Sequence, residues 1–203
     1  MGQRSQIYIR WHLNDEKGNY YEGLVARYFG WNYGTRMISR ACGIIEELYD
    51  TFLKYKYLFG DPCRITKLER ICDVNFDMRD IVLSSDIVEE VMSQFPDQPE
   101  YLFEQDVNNG QLFIDVSDNG IKYCFMEYFD CDEVMDAERY MKWDREDSER
   151  PDWHTPDAFL SASEIKYTEE NIKRIEEMAT LMSLDELDEF VEESLKLVKE
   201  KIK

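Results

Sequence analysis

Residues 6–13 read Gln6-Ile7-Tyr8-Ile9-Arg10-Trp11-His12-Leu13. Ile7, Ile9, Trp11 and Leu13 share one parity; Tyr8, Arg10 and His12 share the other. Side chains alternate across a strand, so this stretch predicts a half-buried β-strand with Ile7, Ile9 and Trp11 facing a core. A polar turn, Asn14 to Asn19 with Gly18, leads into Tyr20 to Phe29, which reads as a second strand. There Leu24, Ala26 and Tyr28 lie opposite Val25, Arg27 and Phe29. The two strands predict an N-terminal hairpin.

The same logic applied outward finds a second hairpin. Gln111 to Ser117 and Ile121 to Tyr128 flank Asp118-Asn119-Gly120, residues that tolerate positive φ in a tight turn. Tyr101 to Gln105 is expected to add a third strand to this meander. Between the hairpins, helical spacing takes over. Thr35 is placed as a cap, and Met37, Ile38, Ala41, Ile45, Leu48 and Phe52 predict a helix to about Tyr57, stopped by Gly60-Asp61-Pro62. Residues 64–73 predict a short helix, and 76–84 a strand or an extended connection. Asp86 with Glu89 predicts another helix start, ending near Phe95-Pro96. A short helical piece is expected near Ala137–Trp143. Thr168 is read as the cap of a helix bearing Ile172, Ile175, Ala179 and Met182. Ser183 with Glu186 forms a capping box for a last helix striped by Leu187, Val191, Leu195, Val198 and Ile202. The fold expected is α+β: an antiparallel β-sheet packed on one face by α-helices. Residues 1–165 form the core domain, and 166–203 a C-terminal helical pair packed on it.

Composition bounds the function. The chain of 203 residues is 43% hydrophobic, which supports a packed core. No apolar run approaches the roughly 18 residues of a membrane span, and the N-terminus has no signal-peptide pattern. The five cysteines, Cys42, Cys63, Cys72, Cys124 and Cys131, contain no C-x-x-C and are expected as free thiols in a cytoplasmic protein. The net charge is −20. Residues 1–80 hold 12 basic and 11 acidic side chains, whereas 81–203 hold 12 and 33. Such a field opposes direct binding of nucleic acid, and it serves either solubility or a surface built to meet a basic partner.

Three groups of residues are candidates for function. The acids Asp130, Asp132, Glu133, Asp136, Glu138, Asp144, Glu146 and Asp147 offer a surface for a basic protein. Tyr8, Arg10, Arg27, Trp31, Arg36 and Arg40 offer an aromatic and basic face of the kind that stacks and neutralises single-stranded nucleic acid. Asp130, Asp132, Glu133 and Asp136 also offer oxygen ligands to a divalent ion, the basis of a metal-dependent enzyme as a further alternative. Asp115-x-Ser117-x-Asn119-Gly120 imitates the start of a calcium loop, but Glu127 stands one place late to close it. The chain has no nucleophile elbow, P-loop, dinucleotide fingerprint or H-E-x-x-H, and no cofactor is expected.

One resemblance spans most of the chain. It runs through Gly2 to Arg10, Ala26-Arg27-Tyr28-Phe29-Gly30-Trp31-Asn32-Tyr33-Gly34, Met37 to Arg40, Ile71 to Met78 and Ile121 to Phe125. These segments resemble a group of uncharacterised proteins on prophages and mobile elements of Gram-positive bacteria. The resemblance implies a genetic setting in which small acidic proteins inhibit host defence, anti-CRISPR proteins among them. The function expected is therefore a non-catalytic inhibitor that mimics nucleic acid and occupies a basic groove, such as that of a CRISPR effector.

Overall fold

The alternation at the N-terminus builds the centre of the molecule. In a computed structural model, which describes residues 4–15, 17–30, 32–54, 83–104, 107–128, 132–146 and 161–201, β1 (Arg4–Asn14) pairs antiparallel with β2 (Tyr20–Gly30). The second hairpin forms as expected, with β4 (Gln111–Ser117) and β5 (Gly120–Met126) joined through Asp118-Asn119. Gly120 has a φ of 136°, a conformation that L side chains rarely adopt. The hairpins meet along β1 and β4, which run parallel. β3 (Leu83–Asp86) extends the sheet beyond β2, and the two-residue β6 (Thr180–Leu181) extends it beyond β5, giving the order β3-β2-β1-β4-β5-β6.

The class is α+β, with a mixed rather than a purely antiparallel sheet. The parallel β1–β4 pair follows from the long connection between the hairpins, which passes through helices before the chain returns. Helices cover both faces, not one. On the first face, α1 (Thr35–Leu48), α3 (Ala137–Glu146) and α4 (Ala162–Met178) pack against Ile7, Ile9, Trp11, Leu112, Ile114 and Phe125. On the second, α2 (Ile87–Gln94) and α5 (Leu184–Lys201) pack against Tyr8, Ala26, Phe113, Cys124 and Met126. Arg10 and His12 make this second face look polar in β1. Its neighbours are apolar, and the hydrophobic effect requires them to be covered too.

The C-terminal helices are therefore not one packed pair. Ile175 and Ala179 belong to the first core, whereas Leu187, Phe190 and Val198 belong to the second. The chain crosses from one face to the other through β6, pinned by the Met182 amide donating to the Tyr123 carbonyl at 2.8 Å. The expected boundary at 165 falls inside α4. That helix starts earlier because Ser161 and Glu164 form a reciprocal capping box. Thr168 is interior, and its hydroxyl donates to the Glu164 carbonyl at 2.9 Å. The expected strand from Tyr101 is a 3₁₀ turn, Pro99–Leu102, since Pro99 presets helical φ and lacks an N–H for a ladder. α1 passes into a π-helical turn, Tyr49–Lys54, and the expected helix at 64–73 lies outside the described residues.

Other expectations match. Asp86 accepts the Glu89 amide at 3.0 Å, and Ser183 and Glu186 bond reciprocally at 3.3 and 2.8 Å. Trp11 is in the core and lies over Gly23, where an added Cβ would come within 2.0 Å of its ring.

Candidate functional site

Among the described residues, the aromatic and basic side chains of the N-terminal quarter do not form one exposed face. Tyr8 is buried, stacked on Phe113 with centroids 4.9 Å apart, and its hydroxyl donates to the Gln6 side chain and the Leu102 carbonyl. Arg40 is fully buried, with its guanidinium 4.8 Å over the Phe29 ring and Nε donating to Asn32 Oδ1 at 3.1 Å. Arg27 pairs with Asp86 at 3.8 Å, and Arg36 is exposed on α1. Trp31 lies outside the described residues. For Tyr8 the cause is the second layer, which covers the β1 parity that an open sheet would have shown to solvent; Arg40 is instead buried on α1 beside Phe29 of the first core.

That layer closes over a charged cluster that sequence reading missed. Parallel pairing sets Arg10 opposite Asp115 and His12 opposite Ser117. Arg10 donates from Nε and Nη2 to the two carboxylate oxygens of Asp115 at 2.8 and 2.9 Å, a bidentate fork. Its Nη1 lies 3.4 Å from the Glu189 carbonyl, and its guanidinium rests 5.2 Å from the Phe190 ring centroid. His12 Nε2 lies 3.1 Å from Asp115 Oδ2, with 34% of its side chain exposed. Burial pushes the Asp115 carboxyl up, but the hydrogen bonds from Arg10 and His12 outweigh it and hold the group below the ordinary carboxylate range. For Arg10, burial works against the charge; the bonds and charge of Asp115, with Glu189 and Glu193, reverse that and raise it. The only sequence signal was the parity itself, which put Arg10 and His12 together but could not name their partner one hundred residues away.

Asp115, His12 and Ser117 contain the residue types of a nucleophilic triad. Their wiring is different. The Ser117 hydroxyl accepts the Asn119 amide at 3.2 Å and lies 3.5 Å from the Gly120 carbonyl, so it closes the hairpin turn. Nucleophile activation needs that hydroxyl on the imidazole. Arg10, held by Asp115, reaches α5 at the Glu189 carbonyl and the Phe190 ring, a clamp between sheet and helix.

The acidic candidates separate into different environments. Asp132, Glu133 and Glu138 are exposed. Glu133 is ion-paired with Arg139, and Asp136 caps α3 by accepting the Arg139 amide at 2.7 Å. Asp144 is buried, a correction to its place on the expected surface. It sits against the N-terminus of α1: an added Cβ on Gly34 would lie 2.6 Å from its Oδ2. Gly34 gives that helix no side-chain cap, and the positive end of a helix stabilises a carboxylate. Glu146 is the last residue of α3, while Asp130 and Asp147 lie outside the described residues. No group of three or more His, Cys, Asp or Glu side chains among the described residues is arranged to hold a metal ion.

A second acidic surface stands on α5. Asp185, Asp188, Glu189 and Glu192 are exposed at i, i+3, i+4 and i+7, one stripe along the outward side of the helix. Neighbours at this spacing sit about 5–6 Å apart. Between Asp185 and Glu193 there are six acids and no base, and Lys196, just beyond them, is bonded to Glu192 at 3.1 Å and to Glu193 at 2.7 Å. The helix dipole favours acids in the first turn only, so it accounts for Asp185 and Glu186 but not for Glu189 or Glu192. α5 and α3 lie on opposite faces of the sheet, so their acids are separate surfaces.

Comparison of the chain with protein-family models, with curated proteins and with solved structures returns no match. Among the described residues no helix is long and apolar enough to cross a membrane.

Proposed function

We propose that this chain is a non-catalytic inhibitor from a mobile element that uses an acidic surface to occupy a basic, nucleic-acid-binding groove on a cytoplasmic bacterial protein. The observation that carries the reading is the α5 stripe of Asp185, Asp188, Glu189 and Glu192, exposed on a chain of net charge −20. Carboxylates at regular spacing on a rigid helix present a basic groove with charge in fixed positions, as a phosphate backbone does. Charge of this kind accelerates encounter and selects basic partners. Asp132, Glu133 and Glu138 supply a second acidic patch on the other side of the molecule.

The experiment is to mix the protein with a panel of CRISPR effector nucleases and measure guide loading, target binding and cleavage. Competition with nucleic acid, weakened at high salt, is the expected result. A Asp188→Lys, Glu189→Lys, Glu192→Lys variant should associate at least ten-fold more slowly. Unchanged effector activity across the panel, with no complex formed, would refute the reading.

A further inference from the structure

A cavity of about 280 Å³ opens where the tip of the β4–β5 hairpin meets the end of α4 and the start of the π-helical turn. Tyr49, Asn119, Lys122, Glu176, Glu177 and Thr180 are among the side chains around it. From these residues we infer that the cavity is a binding site for a guanidinium group, which would stack on Tyr49 and be held by Glu176, Glu177 and the end of α4.

Several independent features give the cavity its sign. α4 ends here with no basic residue in its last turn, so the negative pole of the helix dipole is left without a cation of its own. The Ala179 amide bonds back to the Ile175 carbonyl, and the last carbonyls of any α-helix have no intrahelical donor. Glu176 and Glu177 add two carboxylates beside them. Lys122 is the one base among the described residues of the lining, and its ammonium is bonded to Glu186 on α5. Lys173 approaches Glu177 only at 3.8 Å across exposed surface, an interaction of small worth.

Shape and chemistry then select among cations. Tyr49 is 37% exposed and forms part of the wall. A planar, weakly hydrated guanidinium stacks on an aromatic ring and presents five donors to carboxylates and carbonyls, whereas an ammonium is a strongly hydrated point charge. The volume lies just under the usual range for drug-sized ligands, so it suits the head of one arginine-like group rather than an extended molecule. The inference is independent of the α5 reading, since the cavity and the acidic stripe use different residues.

The test is an amide NMR titration of the intact protein with three probes: methylguanidinium, a capped Gly-Arg-Gly tripeptide and the same tripeptide with citrulline in place of arginine. Saturable shifts confined to residues 117–122 and 176–180 are expected with the first two, and none with citrulline, which keeps the shape but lacks the charge. Tighter binding of the tripeptide would identify a protein side chain as the source; equal binding would identify the free group. Glu176→Gln with Glu177→Gln should weaken binding at least ten-fold, and Tyr49→Leu several-fold, with the melting temperature measured for each. Charge reversal on α5 should leave the titration unchanged. No saturable shift, shifts spread over every acidic surface, or binding that survives the double glutamine variant would overturn the inference.

Discussion

Replacing Asp115 by Asn tests whether the Arg10–Asp115 fork holds α5 on the sheet. Arg10 is 5% exposed and the Asp115 side chain 14%, so the pair is largely desolvated. Removing one partner of a buried pair strands the other charge, at a cost of about 3–5 kcal/mol. The Glu189 carbonyl and the Phe190 ring remain as partners for Arg10, which places the expected loss near the lower end, about 3 kcal/mol. With a urea m-value of about 2 kcal/mol/M, the midpoint should fall by about 1.5 M. The pH dependence carries the sign. Asp115 has a folded pKa below its unfolded value of about 3.9, so its stabilisation is fully present above that value and disappears as pH falls through the folded pKa. The gap between parent and variant should therefore be constant from pH 7 to about 5 and close at more acidic pH. Urea unfolding followed by tryptophan fluorescence at pH 7, 5 and 3 measures it. Equal midpoints at pH 7, or a gap that does not narrow by pH 3, would refute the clamp.

Trp11→Ala should cost about 3–5 kcal/mol in the same assay, because it empties the space over Gly23 in the first core. Gly23→Ala should cost about 1–3 kcal/mol by overpacking against the indole, and the two losses should add to less than their sum. Gly34→Ala should destabilise too, since it combines a φ of 51° with a contact on Asp144, and circular dichroism melts would register it. The melting temperature should rise from low to moderate sodium chloride, because a net charge of −20 makes repulsion a global cost that salt screens. A steady fall would argue against it.

Local chemistry was legible in the sequence; the assignment of faces was not. The parity of Ile7, Ile9 and Trp11, the Asp118-Asn119-Gly120 turn and the Ser183–Glu186 box each depend on residues within a few positions, and each is seen in the fold. Whether Tyr8 faces water depends on Leu102 and Phe103, and whether Arg10 does depends on α5, about 95 and 180 residues later, and no local pattern encodes either. Thr168 reads as a cap ahead of Ile172 and Ile175, yet the helix begins at the Ser161–Glu164 capping box, a turn and more earlier. Asp144 reads as one more acid in an acidic run, and only the approach of the α1 N-terminus distinguishes it. The candidate surfaces had the same weakness. A stripe on α5 can be drawn from spacing alone, but it counts as a surface only once Phe190 and Leu187 are known to point inward.

The disposition of the bases decides how the excess of acids is felt outside. Arg10 and Arg40 are buried, Arg27 is paired to Asp86, and Lys122 is bonded to Glu186. Positive charge from the sheet is thus taken up inside the fold or at its edge, and none of these four cations extends freely toward a partner. The Arg10 fork also sits beneath α5, so the cation that reaches the acidic helix from the sheet is already paired to Asp115. Asp185, Asp188, Glu189 and Glu192 lie on the far side of that helix, toward solvent. Lys196 is bonded to Glu192 and Glu193 on the same helix, so the stripe is most negative at its N-terminal end, around Asp185, Asp188 and Glu189.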